Sequence, residues 1–167
     1  MVFGKKSEPG PPAVVTLLTP EALITGTTAI EASRITVPVA EGTQGSWDTL
    51  DLQDASLQPL RPGTPAEALG SFAARGVGIV AAVLPDGPTI DDTLAWKAYA
   101  NEVPGTFHLG PFRLRGTLRL LHPEVVDLLM PMVDVEVSSA SPDLVLPPLR
   151  APLALVNTRW LTGYQPA

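Results

Sequence analysis

Apolar residues recur at every second position through much of the chain, in short runs broken by Pro, Gly and Asp, which is the pattern of strands joined by tight turns. AVVTLL (13–18) and ALITGTTAI (22–30) form a candidate hairpin turned by Thr19, Pro20 and Glu21. RITVPV (34–39) is a further strand, followed by the Gly-rich loop EGTQGS. WDTLDLQDASLQPL carries Trp47, Leu50, Leu52, Leu57 and Leu60 and reads as two short strands separated at Asp54. GVGIVAAVLPDG is a continuous apolar run, a strand buried on both faces and ended by a Pro-Asp-Gly turn. GTFHLGPFRLRGTLRLL reads as a strand, a Gly-Pro turn and an alternating strand. In that second strand Phe112, Leu114, Leu120 and either Thr117 or Leu118 face inward, with Arg113, Arg115 and Arg119 outward. Gly116 interrupts the alternation and predicts a bulge or bend. MVDVEVSS, APLALVN and TRWLTGY are three further strands.

Three stretches carry helix grammar. In TPAEALGSFAARG, Thr64 can cap, Pro65 fits the first turn, Glu67 completes a capping box and Gly76 can close the helix. TIDDTLAWKAYAN repeats the scheme, with Thr89 and Asp92 as the box and Ile90, Leu94 and Ala98 on one face. HPEVVDLLMP offers Pro123 and Glu124 at a helix start and Pro131 as its stop.

The two halves echo each other. LLTPEALITGTTAI and HLGPFRLRGTLRLL share strand, Pro-bearing turn and strand, with Gly26-Thr27 and Gly116-Thr117 lying 90 positions apart. LDLQDASLQPL (50–60) and LALVNTRWLTGY (153–164) both read as strand, tight turn, strand. Two unrelated hairpins would give the same echo; a duplicated small barrel explains it better. The expected organisation is a disordered tail over 1–12 and a first β unit over 13–62, then a helix-strand-helix connector over 63–104 and a second β unit over 105–165.

Over FRLRGTLRLLHPEVVDLLMPMVDVEVSSASPDLVLPPLRAPLALVNTRWLTGY, residues 112–164, the chain resembles a bacterial family of small β-barrel domains with no assigned function, Sm-like in outline. The shared pattern is xLxGTLxL, a short helix with a Val-Asp-Leu-Leu core, a strand, then Ala-Pro-x-x-x-Val-Asn turning into a last strand. The first half departs from it: Gly-rich residues 41–46 stand where the helix belongs, and Asp54 stands near the place of Asn157. The resemblance implies a mainly β fold of two tandem small Sm-like β-barrel or β-roll units with two or three short helices. It implies little about activity, because small barrels host unrelated functions.

Composition narrows the function classes. The chain has 167 residues, and 11 Lys and Arg against 17 Asp and Glu give a net charge of −6, the opposite of a nucleic-acid footprint. Charged residues are 17%, against about 25% in an average soluble domain, and mean hydropathy is +0.21, so the surface is short of charge. The 19 Pro and 14 Gly exclude a long-helix protein, and the absence of Cys excludes disulfides and thiolate metal sites. Pro and Gly follow Lys5 and Lys6 where a signal peptide would turn apolar, so the chain is assigned to the cytoplasm by default. The longest apolar run, Val77 to Leu84, is too short to span a bilayer, which leaves at most a weak peripheral contact through residues 1–6.

No constellation of an enzyme assembles, and neither metal nor cofactor is expected. His122 with Glu124 and Asp127 is a thin metal candidate against the plainer reading of a helix start with a solvated acidic face. His108 lies in an alternating strand with no nucleophile motif nearby. Asp48, Asp51 and Asp54 alternate faces in a β segment, Asp92 of the Asp91-Asp92 pair is spent on capping, and Gly76-Val77-Gly78 lacks the Lys of a phosphate loop. What remains is interaction. Arg113, Arg115 and Arg119 share one strand face and can serve an anionic small ligand or peptide, pair with the acidic surface of another copy, or simply be solvated. Trp47, Trp96, Tyr99, Trp160 and Tyr164 are anchors for an interface or members of a core. VLPPLRAPL (145–153) can be an extended Pro-rich contact. The expectation is a non-enzymatic structural or scaffold protein that self-associates or joins a larger complex, with a binding module for an anionic ligand as the alternative.

Overall fold

Ten strands pair into one wholly antiparallel sheet in a computed structural model that describes residues 13–28, 49–87, 99–123 and 129–167. The strands are β1 (Ala13–Leu18), β2 (Ala22–Thr28), β3 (Thr49–Pro59), β4 (Glu67–Arg75), β5 (Ala81–Leu84), β6 (Asn101–Leu109), β7 (Phe112–Leu120), β8 (Leu129–Ser139), β9 (Leu149–Asn157) and β10 (Leu161–Pro166). Their order across the sheet is β10-β6-β7-β8-β9-β5-β1-β2-β3-β4, so the sheet is open and its edges are β4 and β10. The neighbour order of β5-β1-β2-β3-β4 recurs, strand for strand, in β10-β6-β7-β8-β9. A single turn of 3-10 helix stands between the fourth and fifth strand of each half, Gly76–Gly78 in one and Thr158–Trp160 in the other.

The mainly β character follows from the alternation. In β7, Phe112, Leu114, Leu118 and Leu120 are buried while Arg113 and Arg115 are exposed, which settles the inward position on Leu118 in preference to Thr117. The β1–β2 turn is closed by Thr19, whose hydroxyl donates to the Ala22 carbonyl (2.8 Å) and accepts from the Ala22 N–H (3.1 Å). At Gly116 the register slips as expected: Arg115 faces Glu136 and Thr117 faces Val133, leaving Gly116 opposite both Asp134 and Val135. Gly26 does the same in the first half, with Thr25 facing Ser56 and Thr27 facing Gln53. Asp54 and Asp134, each the sixth residue of its eleven-residue strand, have φ of 50° and 53° at these bulges. Asp tolerates this left-handed conformation better than most side chains.

β5 joins the halves. It pairs with β1 on one side and β9 on the other, Ala81 opposite Val156 and Leu84 opposite Leu153. Ala81 to Leu84 and Leu153 to Val156 are all within 2% of complete burial. Alternate residues serve two cores: Ala81, Val83, Ala154 and Val156 pack with Phe107, Phe112 and Met132, whereas Ala82, Leu84, Leu153 and Leu155 pack with Leu17, Leu52 and Tyr99. A strand buried on both faces needs a continuous apolar run, which is why AAVL stands out in the sequence, whereas Gly76–Gly78, expected in the same strand, form the 3-10 turn with Val77 exposed.

Several expectations are corrected. TPAEALGSFAARG is β4 and not a helix. Pairing with β3 overrides the local propensity, and Gly70 at φ +68° marks a register shift that a helix interior could not hold. Residues 50–60 are not two strands, since β3 runs unbroken through the kink at Asp54. The counterpart of Asp54 by strand position is therefore Asp134 and not Asn157, and residues 153–164, which span the end of β9, the 3-10 turn and β10, answer to β4 and β5. Pro131 lies inside β8 and stops no helix; it is tolerated because pairing with β7 ends at Leu118 opposite Met132. Candidate strand 34–39, the Gly-rich loop, Trp47, Asp48, Trp96, most of the 89–101 helix and residues 124–128 lie outside the described residues. Among the described residues no helix is long and apolar enough to cross a membrane.

Candidate functional site

β7 carries the arginines on its outward parity, and its neighbours determine what each can do. Arg119 Nη1 lies 2.5 Å from Glu102 Oε1 on β6; the Arg119 side chain is largely covered, and its Nε is buried without a partner among the described residues. Arg115 faces Thr106 on β6 and Glu136 on β8, and Glu136 in turn accepts from Arg150 Nη2 at 3.1 Å. Arg113 stands between His108 and Ser138, and the Ser138 hydroxyl donates to the Arg113 carbonyl at 3.4 Å. Among the described residues neither Arg113 nor Arg115 forms an ion pair.

At the β7–β8 bulge the outward face opens into a groove of about 480 Å³ lined by Thr106, Arg115, Asp134, Glu136 and Pro166 among others. A neighbouring depression of about 470 Å³ shares Asp134 and Glu136 and adds Arg150. Two acids and two arginines in one open hollow give a surface of mixed sign. The three-arginine stripe is thus divided, with Arg119 already paired, Arg115 placed beside carboxylates, and Arg113 left as the exposed cation.

The aromatic candidates separate similarly. Trp160 is half-buried against the core of the second half, and its ring lies over Gly110, where a Cβ would come within 3.2 Å. Tyr164 is 43% exposed on the edge strand β10, stacks on Phe107 with ring centroids 4.9 Å apart and donates its hydroxyl to the Pro104 carbonyl at 3.0 Å. Tyr99 is core. Asp51 and Asp54 are exposed on β3, and among the described residues no group of three or more His, Asp or Glu is placed to hold a metal ion.

Sequence reasoning expected assembly through strand edges but did not place those edges on β4 and β10. β4 was concealed by its helix-like capping residues, and among the described residues it leaves one row of backbone groups without a partner strand along Glu67–Arg75 while β10 leaves another at the far end of the sheet. Exposed large apolar side chains sit at both: Val77, 70% exposed in the turn directly after β4, and Tyr164 on β10. Comparison of the chain with protein-family models, with curated proteins and with solved structures found no match.

Proposed function

We propose that the chain is a non-enzymatic structural or scaffold protein, built as two tandem Sm-like units, that assembles as a homo-oligomer or as a small subunit of a larger complex. The observation that carries this reading is the β5–β9 joint: two five-strand halves with the same pairing order meet edge to edge and bury the paired residues, Ala81 to Leu84 and Leu153 to Val156, almost completely. A fold that joins its own halves in this way, and still has two free edges, is suited to joining further copies. The low charge content of 17% acts in the same direction, since it lowers the cost of covering surface.

The alternative, an anionic-ligand module on the Arg-bearing strand, has less support, because Glu102 occupies Arg119 and Glu136 lies across from Arg115. The deciding measurement is the mass of the purified chain in solution over a concentration series, by light scattering after size exclusion. Discrete multimers or filaments are expected. A 17.6 kDa monomer at every concentration would overturn homo-assembly.

A further inference from the structure

Resting on that reading of the chain as a self-assembling protein, we propose that β10 of one copy pairs antiparallel with β4 of the next, head to tail, with Gly163 opposite Ala74 and Tyr164 opposite Ala73. The internal joint is the template. It unites the fifth strand of the first half, β5, with the fourth strand of the second, β9. Among the described residues the strands left free are the fifth of the second half, β10, and the fourth of the first, β4, so one more joint of the same kind is available between copies.

The register follows from equivalent positions. Ala82 lies opposite Leu17, which lies opposite Ile24; Tyr164 lies opposite Phe107, which lies opposite Leu114. Ile24 and Leu114 each precede by two residues the glycine at the bend, Gly26 or Gly116, so Tyr164 answers to Ala82 and Gly163 to Ala81. On the fourth strands, Ala74 lies opposite Leu50 and Val156 opposite Met130, each the second residue of its eleven-residue strand. The internal pairs Ala81 with Val156 and Ala82 with Leu155 therefore become Gly163 with Ala74 and Tyr164 with Ala73.

The edge chemistry agrees. The Ala167 N–H donates inward to the Pro104 carbonyl at 3.3 Å. By the alternation of backbone groups along a strand, the N–H and C=O of Tyr164 then point away from β6 and are open to a partner. Pro166 occupies the next outward position and, lacking an N–H, ends the pairing there. Inside the chain, the residue before the 3-10 turn also clasps the joint: Asn157 donates from its backbone to the Val80 carbonyl and from Nδ2 to the Ile79 carbonyl, both at 3.0 Å. The matching turn after β4 holds Val77, whose counterpart Arg159 stays exposed beside the internal joint. Large apolar side chains are exposed at four described positions, Val14, Val77, Val145 and Tyr164, and Tyr164 lies in this contact. Because the two edges differ, the contact is heterologous, giving a ring if the rotation per copy closes and a filament if it does not.

The chain has no Cys, so introduced thiols are the only ones present. Ala74→Cys and Gly163→Cys face each other at a non-hydrogen-bonded pair, where side chains approach most closely. A Cβ at Gly163 meets nothing nearer than His108 at 3.7 Å. The two single variants, one carrying a mass tag, are mixed under mild oxidation and compared with each variant alone, with circular dichroism to verify folding. The expected result is a mixed disulfide at least tenfold above the self-linked product of either variant. Phe72→Cys with Gln165→Cys, two positions along on the same face, provides the same test if Ala74→Cys fails to fold. Self-linking of one variant alone, or no mixed product while light scattering still reports multimers, overturns the head-to-tail register and leaves assembly standing. A monomer in light scattering removes the assembly reading itself.

Discussion

Asn157 Nδ2 donates to the Ile79 carbonyl 3.0 Å away, while Asn157 Oδ1 accepts from the Arg159 N–H at 3.1 Å, so one buried side chain both clasps the joint between the halves and caps the turn leading into β10. Asn157 is only 5% exposed, which leaves water little access to replace either bond. Asn157→Ala strands a carbonyl and an N–H together and is expected to cost about 2 kcal/mol. Asn157→Asp keeps the cap but places carboxylate oxygen against carbonyl oxygen, and should cost at least as much at neutral pH. Urea denaturation of the two variants checks this, and a loss below about 0.5 kcal/mol for both would show that the clasp is not structural.

The two bulge glycines should respond differently to the same substitution. A Cβ at Gly116 would stand 2.6 Å from the Val133 carbonyl oxygen and 3.0 Å from that of Asp134, both backbone atoms that cannot rotate aside. At Gly26 the nearest atom is the Gln53 carbonyl oxygen at 3.0 Å. Gly116→Ala is therefore expected to destabilise by about 3 kcal/mol and Gly26→Ala by about 1. Gly63→Ala meets no neighbour within 4 Å but must hold φ +77°, so its loss of about 1 kcal/mol would be purely conformational. Reversal of the order of Gly116→Ala and Gly26→Ala in thermal melts would mean that the two bends are not built alike.

These glycines also mark how far the sequence could be read. The bend at Gly116 was legible because it breaks a clean alternation between Leu114 and Leu118, and β5 was legible because a strand buried on both faces needs an unbroken apolar run. The Pro-Asp-Gly turn after it forms as expected, with the Gly87 N–H donating to the Leu84 carbonyl at 3.1 Å. β4 was not legible. Thr64, Pro65, Glu67 and Gly76 carry every local mark of a capped helix, and only the open edge of β3, a partner distant in sequence from those marks, makes the segment a strand. The candidate site suffered from the same limit. Period two placed Arg113, Arg115 and Arg119 on one face correctly, but whether a guanidinium is available depends on the strands alongside, and Glu102 and Glu136 arrive from β6 and β8.

The two ion pairs predict a contrast. Arg119 is largely covered with one nitrogen unpartnered, so removing its carboxylate by Glu102→Ala leaves a shielded cation with little compensation. Arg119→Met removes the charge and keeps the stem that packs on the sheet. Glu102→Ala should therefore destabilise by about 1 to 2 kcal/mol and Arg119→Met by less. The exposed Arg150–Glu136 pair should yield about 0.5 kcal/mol or nothing when either member is replaced by Ala. Equal losses from Glu102→Ala and Arg119→Met in denaturant titrations would show that burial of the guanidinium carries no penalty here.

Ala73 separates assembly from folding. Its side chain is exposed on the edge strand β4, and in the head-to-tail joint its N–H is the one that pairs with Tyr164 of the next copy, pointing away from β3. Ala73→Pro removes that N–H and no bond to β3, so the melting behaviour of the monomer should stay within about 1 kcal/mol of the parent. Light scattering on Ala73→Pro is expected to show the multimer retreating to higher protein concentration by at least tenfold. Val77→Lys is the control: Val77 is 70% exposed in the turn after β4, and its counterpart beside the internal joint, Arg159, is exposed as well, so this change should leave the mass unchanged. If both variants shift the mass alike, general surface change governs association; if neither does, copies do not meet along β4.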